Sequence, residues 1–363
     1  MKQYVKIVLI CLFFANNLDI NANTIGQINA NAATQYFNVS QNVNAAANII
    51  QGFTYLAGGF AFAGGAANNG SIAYNAIGGI GGTITLQGAN SMTLTSDLAF
   101  LNQTAFTAGS FAISANNKAI IFPNLNSSFT FPQGLSSLPI TSAKVVANSY
   151  LTIVAPITFL SSGNVLNGNG NYIDLTNGSI SVGPGGSLLI QNATIKGVDA
   201  GKISCQDNLG TVSLQNIKWV QDATFSFTLG MMDIFNDVLF TGSTIFAYRS
   251  TNLLTVHSNS QLMFDIGMTF SYDTTANSRL VFTDATAGMY FNESTLFANS
   301  NGLRLTKGNV TFDGPCPVIS QGASAANGIL IGDNASAANN LLLRIVAETD
   351  LNVQSGFFVY QNV

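Results

Sequence analysis

Charge is what this chain has least of. Charged side chains make up 8% of its 363 residues, against roughly 25% in an ordinary globular domain. The net charge of −4 is spread thinly, and no basic patch exists to neutralise phosphates, so no nucleic-acid partner is expected. One His, two Glu and four Arg in the whole sequence leave few groups for proton transfer. Two separated Cys beyond the N-terminal segment, Cys205 and Cys316, match no zinc spacing, and one His adds no transition-metal set. No metal and no cofactor is therefore expected. The Gly-rich run 78–82 has neither the Lys-Ser/Thr nor the following helix of a phosphate loop. Amphipathic helical runs are almost absent. So is any interior stretch long and apolar enough to cross a membrane as a helix, which takes roughly 17–25 residues.

What the sequence does contain is neutral polarity: Asn, Ser, Thr, Gln and 35 Gly, set among 47% hydrophobic residues. At the N-terminus, Lys2 and Lys6 precede the apolar run Ile7 to Ala15. A short basic segment before a short apolar one is the secretory pattern. Residues 1–22 are expected to be an export signal, and the rest to be secreted or held at the cell surface, extracellular or associated with an outer membrane. In an oxidising compartment Cys205 and Cys316 form either a disulfide or two isolated buried thiols, and the sequence leaves both open. Residues 23–82 are rich in Ala, Asn and Gly and read as a leader or as a cap over the first edge of the repeating region.

From residue 83 onward short alternating runs recur. Thr83-Ile84-Thr85-Leu86, Ser179-Ile180-Ser181-Val182 and Thr211-Val212-Ser213-Leu214 each place apolar side chains on one face and small polar ones on the other. Gly, Asn, Asp and Ser separate them. A loose unit also repeats, in which an apolar pair is followed by a small polar residue, often Asn, and then by another apolar residue. Leu188-Leu189-Ile190-Gln191-Asn192-Ala193-Thr194-Ile195 and Val212-Ser213-Leu214-Gln215-Asn216-Ile217-Lys218-Trp219 are clear copies. Strands this short hold only if stacked on like strands about 4.8 Å away. Stacking favours neutral residues, because a charge repeated in every turn would face its own copy. The reading is one single-stranded right-handed parallel β-helix, an all-β solenoid over 83–363. At about 22–25 residues per turn it should have about 11–13 turns.

The segment 157–198 carries a family likeness. Its elements are Leu166-Asn167-Gly168-Asn169-Gly170, the turn Pro184-Gly185-Gly186, and Leu188-Leu189-Ile190 followed by Asn192 and Ile195. Together they resemble the coils of right-handed parallel β-helix proteins of the pectate-lyase-like superfamily. That resemblance implies the fold and leaves open lyases, hydrolases, tailspikes and adhesins.

Chemistry-bearing residues are densest between 222 and 284. If the chain is an enzyme, its candidates are Asp233, Asp265, Asp284, Arg249, Arg279 and His257, with the three Asp brought together on one face by stacking. Such carboxylates suit glycoside hydrolysis or, as the resemblance implies, Ca²⁺-assisted elimination with an Arg as base. No close Asp pair of the lyase pattern and no polygalacturonase-type series appears. The expectation is a structural or adhesive rod presenting a lateral surface to glycan or protein. A carbohydrate-active enzyme of the same fold is the alternative. An outer-membrane β-barrel is the second alternative, and its strands of about 9–11 residues are longer than these runs.

Overall fold

The computed structural model describes residues 138–332 apart from 149, 154 and 155, then 341–346 and 351–361, and the backbone of separate strands between Ala33 and Thr130. The expected export segment 1–22, and most of the 23–82 leader, lie outside the described residues.

The fold is a parallel β-solenoid of about eight turns. Each turn lays one short strand on each of three faces. Face 1 includes Pro156–Phe159, Ser179–Val182, Ile203–Cys205, Phe225–Phe227, Ile245–Tyr248, Thr269–Tyr272, Thr295–Ala298 and Cys316–Ser320. Face 2 includes Asn164–Asn167, Leu254–Val256, Leu280–Phe282, Leu303–Leu305 and Ile329–Ile331. Face 3 includes Tyr172–Asp174, Gln261–Phe264, Gly288–Asn292 and Asn309–Asp313. Ser187–Val198, Thr211–Gln221 and Met231–Thr241 bend through the corner and serve faces 2 and 3 in one strand. Stacked neighbours are close to one turn apart in sequence: Thr158 and Ser181 by 23 residues, Asp233 and His257 by 24, Asp265 and Asn292 by 27.

Two expectations change here. About eight turns stand here, against about 11–13 expected over the whole of 83–363. Corners such as the stretch between Ser320 and Ile329, which holds the short 3₁₀ turn Ala325–Asn327, consume residues without adding a turn, and some of the counted residues lie outside the described ones. The barrel alternative fails on strand direction. Every strand pair from residue 138 on is parallel, whereas membrane barrels are antiparallel. Among the described residues no helix is long and apolar enough to cross a membrane.

Alternation makes the core. In Ser179–Val182 the burial alternates half-buried and buried, and Thr211–Gln221 follows the same rhythm. Inward residues then stack in register. Trp219, Phe240, Phe264, Phe291 and Phe312 form one aromatic column inside face 3. Its Phe rings lie 5.4, 5.5 and 5.1 Å apart and nearly parallel. Phe225, Phe246 and Phe270 form a second column inside face 1. Each such ring contributes about 1.5–3 kcal/mol by burial.

Asn governs the corner between faces 2 and 3. Asn169, Asn192, Asn216, Asn236 and Asn259 all have φ between 49° and 55°. Asn tolerates this left-handed conformation because its short amide bonds locally. The amides also bond across turns: Asn169 Nδ2 donates to Asn148 Oδ1 (3.2 Å) and Asn216 Nδ2 to Asn192 Oδ1 (2.9 Å). The amide ladder thus runs along an outward corner. A left-handed residue turns its side chain away from the core, and these Asn are exposed or half-buried.

Candidate functional site: a groove on face 1

The structure distributes the candidate catalytic residues over different parts of the rod. Asp233, on face 2, reaches His257, just past the end of Leu254–Val256, Oδ1 to Nε2 at 3.1 Å. Asp284 lies past the end of face 2, where it accepts bonds from Ser258 Oγ (2.5 Å) and from the Thr286 backbone and hydroxyl (2.8 and 2.6 Å). These bonds lower its pKa to about 2. Asp265 follows face 3 and accepts from Asn292 Nδ2 at 2.9 Å. Arg249 follows face 1 and pairs with Asp273 at 2.9 Å. Arg279 precedes face 2; its N–H donates to the Tyr272 hydroxyl (2.7 Å) and its buried Nε has no partner.

Asp233, Asp265 and Asp284 thus do not converge. Position within a turn decides the face, and these residues fall at different points of their turns. No group of three or more His, Cys, Asp or Glu suited to a metal occurs among the described residues. Cys205 and Cys316 are both free and buried. Four face-1 strands lie between them (Phe225–Phe227, Ile245–Tyr248, Thr269–Tyr272 and Thr295–Ala298). That puts them roughly 24 Å apart at ~4.8 Å per strand, beyond the ~7 Å reach of a disulfide. Burial pushes the Cys205 thiol up to about 12 and raises that of Cys316 as well.

The feature that does assemble lies on the outer side of face 1. Its middle outward position holds Thr158, Ser181 and Ser204 in register in one sheet, and Ser226, Ala247 and Ser271 in register in the next, with no ladder between Ile203–Cys205 and Phe225–Phe227. These residues make a floor of small side chains. Thr158 and Ser181 share a hydroxyl bond of 2.8 Å. The next two positions in the row are Phe297 and Ile319, which end it with bulk. A groove of about 370 Å³ opens against this end, lined by Thr224, Ile245, Arg249, Thr269, Ser271, Asp273, Phe297 and Gln321. Its polar wall is braced across turns: Asp273 holds Arg249 Nε through Oδ2 and accepts from Asn299 Nδ2 through Oδ1 (3.0 Å). Buried tyrosines fix the loops beside it. Tyr248 donates to Asn252 O (3.1 Å) and Tyr272 to Ala276 O (2.7 Å).

Of the groove residues, sequence reasoning singled out Arg249 as a candidate base and placed Asp273 in the same acidic neighbourhood. The rest went unnoticed. A signal was there: Thr224-Phe225-Ser226-Phe227, Ile245-Phe246-Ala247-Tyr248 and Thr269-Phe270-Ser271-Tyr272 repeat one aromatic, small, aromatic pattern. Comparison with known proteins finds no family model that matches the chain, no similar curated protein and no similar solved structure.

Proposed function

We propose that the protein is an exported, non-catalytic β-solenoid that presents face 1 to a glycan. The observation that carries this reading is the lining of the groove. Hydroxyls of Thr224, Thr269 and Ser271, the amide of Gln321 and the braced Arg249–Asp273 pair stand beside the half-buried ring of Phe297. Sugars combine hydroxyl edges with apolar C–H faces, and a wall of neutral donors and acceptors next to an aromatic face suits both. Asp265, at face 3, stands apart from Asp233 and His257 at face 2, and that separation of the carboxylates supports recognition without turnover. The coil pattern of 157–198, which resembles that of the pectate-lyase-like superfamily, fits a lateral face that follows a linear polysaccharide. Export, to the medium or the cell surface, rests on the basic and apolar N-terminal pattern at Lys2, Lys6 and 7–15.

A glycan array probed with the purified chain, run beside an assay for newly released reducing or unsaturated sugar ends, tests the reading. Binding is expected without release of ends, and Phe297→Ala is expected to weaken it by about ten-fold or more, the size of a stacked aromatic contact at a binding centre. Turnover that disappears on replacing Asp233 or Asp265 would overturn it.

A further inference from the structure

Face 2 is interrupted between two turns. Leu254–Val256 pairs in register with Leu280–Phe282, and Leu303–Leu305 with Ile329–Ile331. Leu280–Phe282 and Leu303–Leu305 share no ladder and belong to different sheets. Bonds cross at the two ends of the gap, from Arg304 N–H to Asn277 O (2.7 Å) and from Lys307 Nζ to Thr283 O (3.3 Å). The same two turns remain paired on face 1, through Thr269–Tyr272 and Thr295–Ala298, and on face 3, through Gly288–Asn292 and Asn309–Asp313. The gap is therefore a window framed on both sides by intact sheet.

A cavity of about 180 Å³ occupies the window. Its floor is apolar: Leu280, Phe282 and Leu305 are core residues, each 2% exposed. Ser278, Thr306 and the exposed Arg304 line it toward solvent. Arg304 joins neither of the ion pairs formed among the described residues.

These features limit the guest. An intercalated strand would need the neighbouring turns to separate to about 9.6 Å, twice the ladder spacing, and the paired faces 1 and 3 prevent that. The guest must be small and enter from outside. The volume is close to the ~150 Å³ of an apolar cavity that accepts benzene. The floor suits a ring, the rim offers strand edges outside any ladder, and Arg304 offers a planar fork that matches a carboxylate. We propose that this window binds a small apolar carboxylate of the arylcarboxylate class, independently of the glycan groove on face 1.

Calorimetric titration of the full chain with benzoate, benzyl alcohol and acetate tests the proposal. Benzoate should bind saturably and at least about ten-fold more tightly than benzyl alcohol or acetate, and Arg304→Gln should remove about that factor, as loss of a charge-assisted contact implies. Val281→Trp, a change at the half-buried lip of the window, should abolish benzoate binding while the circular dichroism spectrum and glycan binding persist. Absence of saturable benzoate binding, or equal binding of benzoate and benzyl alcohol with no effect of Arg304→Gln, would overturn the proposal.

Discussion

The imidazole of His257 lies flat against the ring of Phe235 one turn away, with centroids 4.1 Å apart and planes 11° from parallel. The same imidazole reaches Asp233. The one histidine of the chain is thus a rung in a stack. A stacked aromatic pair is worth about 0.5–1.5 kcal/mol beyond burial, and a part-exposed Asp–His contact no more than about 1 kcal/mol. Phe235→Ala should therefore destabilise the protein more than Asp233→Ala, and a double-mutant cycle on Asp233 and His257 in urea should give a coupling below about 1 kcal/mol.

The corner asparagines hold left-handed backbone, and Gly reaches that conformation without a Cβ penalty. Asn216, at φ 52°, is expected to tolerate Gly within about 0.5 kcal/mol and to lose about 1 kcal/mol with Ala. Equal effects of the two substitutions in chemical denaturation would count against the left-handed corner.

Trp219 is the single tryptophan and is fully buried against Phe225, Phe240 and Phe246. Its indole N–H has no partner. Trp219→Ala should cost about 3–5 kcal/mol. Trp219→Phe should cost less than about 1.5 kcal/mol, because removing an unbonded buried donor offsets part of the lost packing. The native emission should be strongly blue-shifted and should move red only on unfolding.

Asp284 gives stability a pH dependence of definite sign. Its carboxylate remains charged in the folded protein down to about pH 2, while an unfolded Asp takes its proton near pH 4. The resulting contribution is complete above about pH 4 and is lost as pH falls toward 2. The stability difference between the parent and Asp284→Ala should shrink across that window. A carboxyl NMR titration of Asp284 with its midpoint near 4 would contradict the hydrogen-bonded corner.

Cys205, with its thiol pushed up to about 12, and Cys316, raised in the same direction, should resist aromatic disulfide reagents at pH 8 in the native protein. Both should react once denaturant opens the rod. Rapid native labelling of either would show that its face of the core is not closed.

How much of the fold and the groove was legible in the sequence depends on the period considered. The two-residue alternation in Ser179–Val182 announces a strand by itself, and Gln191-Asn192 and Gln215-Asn216 mark the recurring corner. Those local signals, together with the scarcity of charge, suffice for the solenoid. The site was harder to read. Asp233, Asp265 and Asp284 look like a cluster because they are near in sequence. In a solenoid, proximity is set by whole turns, and uneven corners change the phase. Phe297 and Ser271 meet because they occupy the same place in consecutive turns, a relation visible only after the turn boundaries are known. The window on face 2 has no sequence signal, since it arises from a ladder that fails between two otherwise ordinary strands.

The most direct test of the stacked-turn architecture uses three outward positions of face 1, Ile245, Thr269 and Thr295, which are in register in consecutive turns. Paired cysteines at Ile245 and Thr269 would stand about 4.8 Å apart, within disulfide range, whereas a pair at Ile245 and Thr295 would be separated by about twice that. Mild oxidation followed by mass spectrometry should find an intramolecular cross-link in the first double variant and none in the second. Failure of the first pair to join, or equal joining of both, would contradict the account.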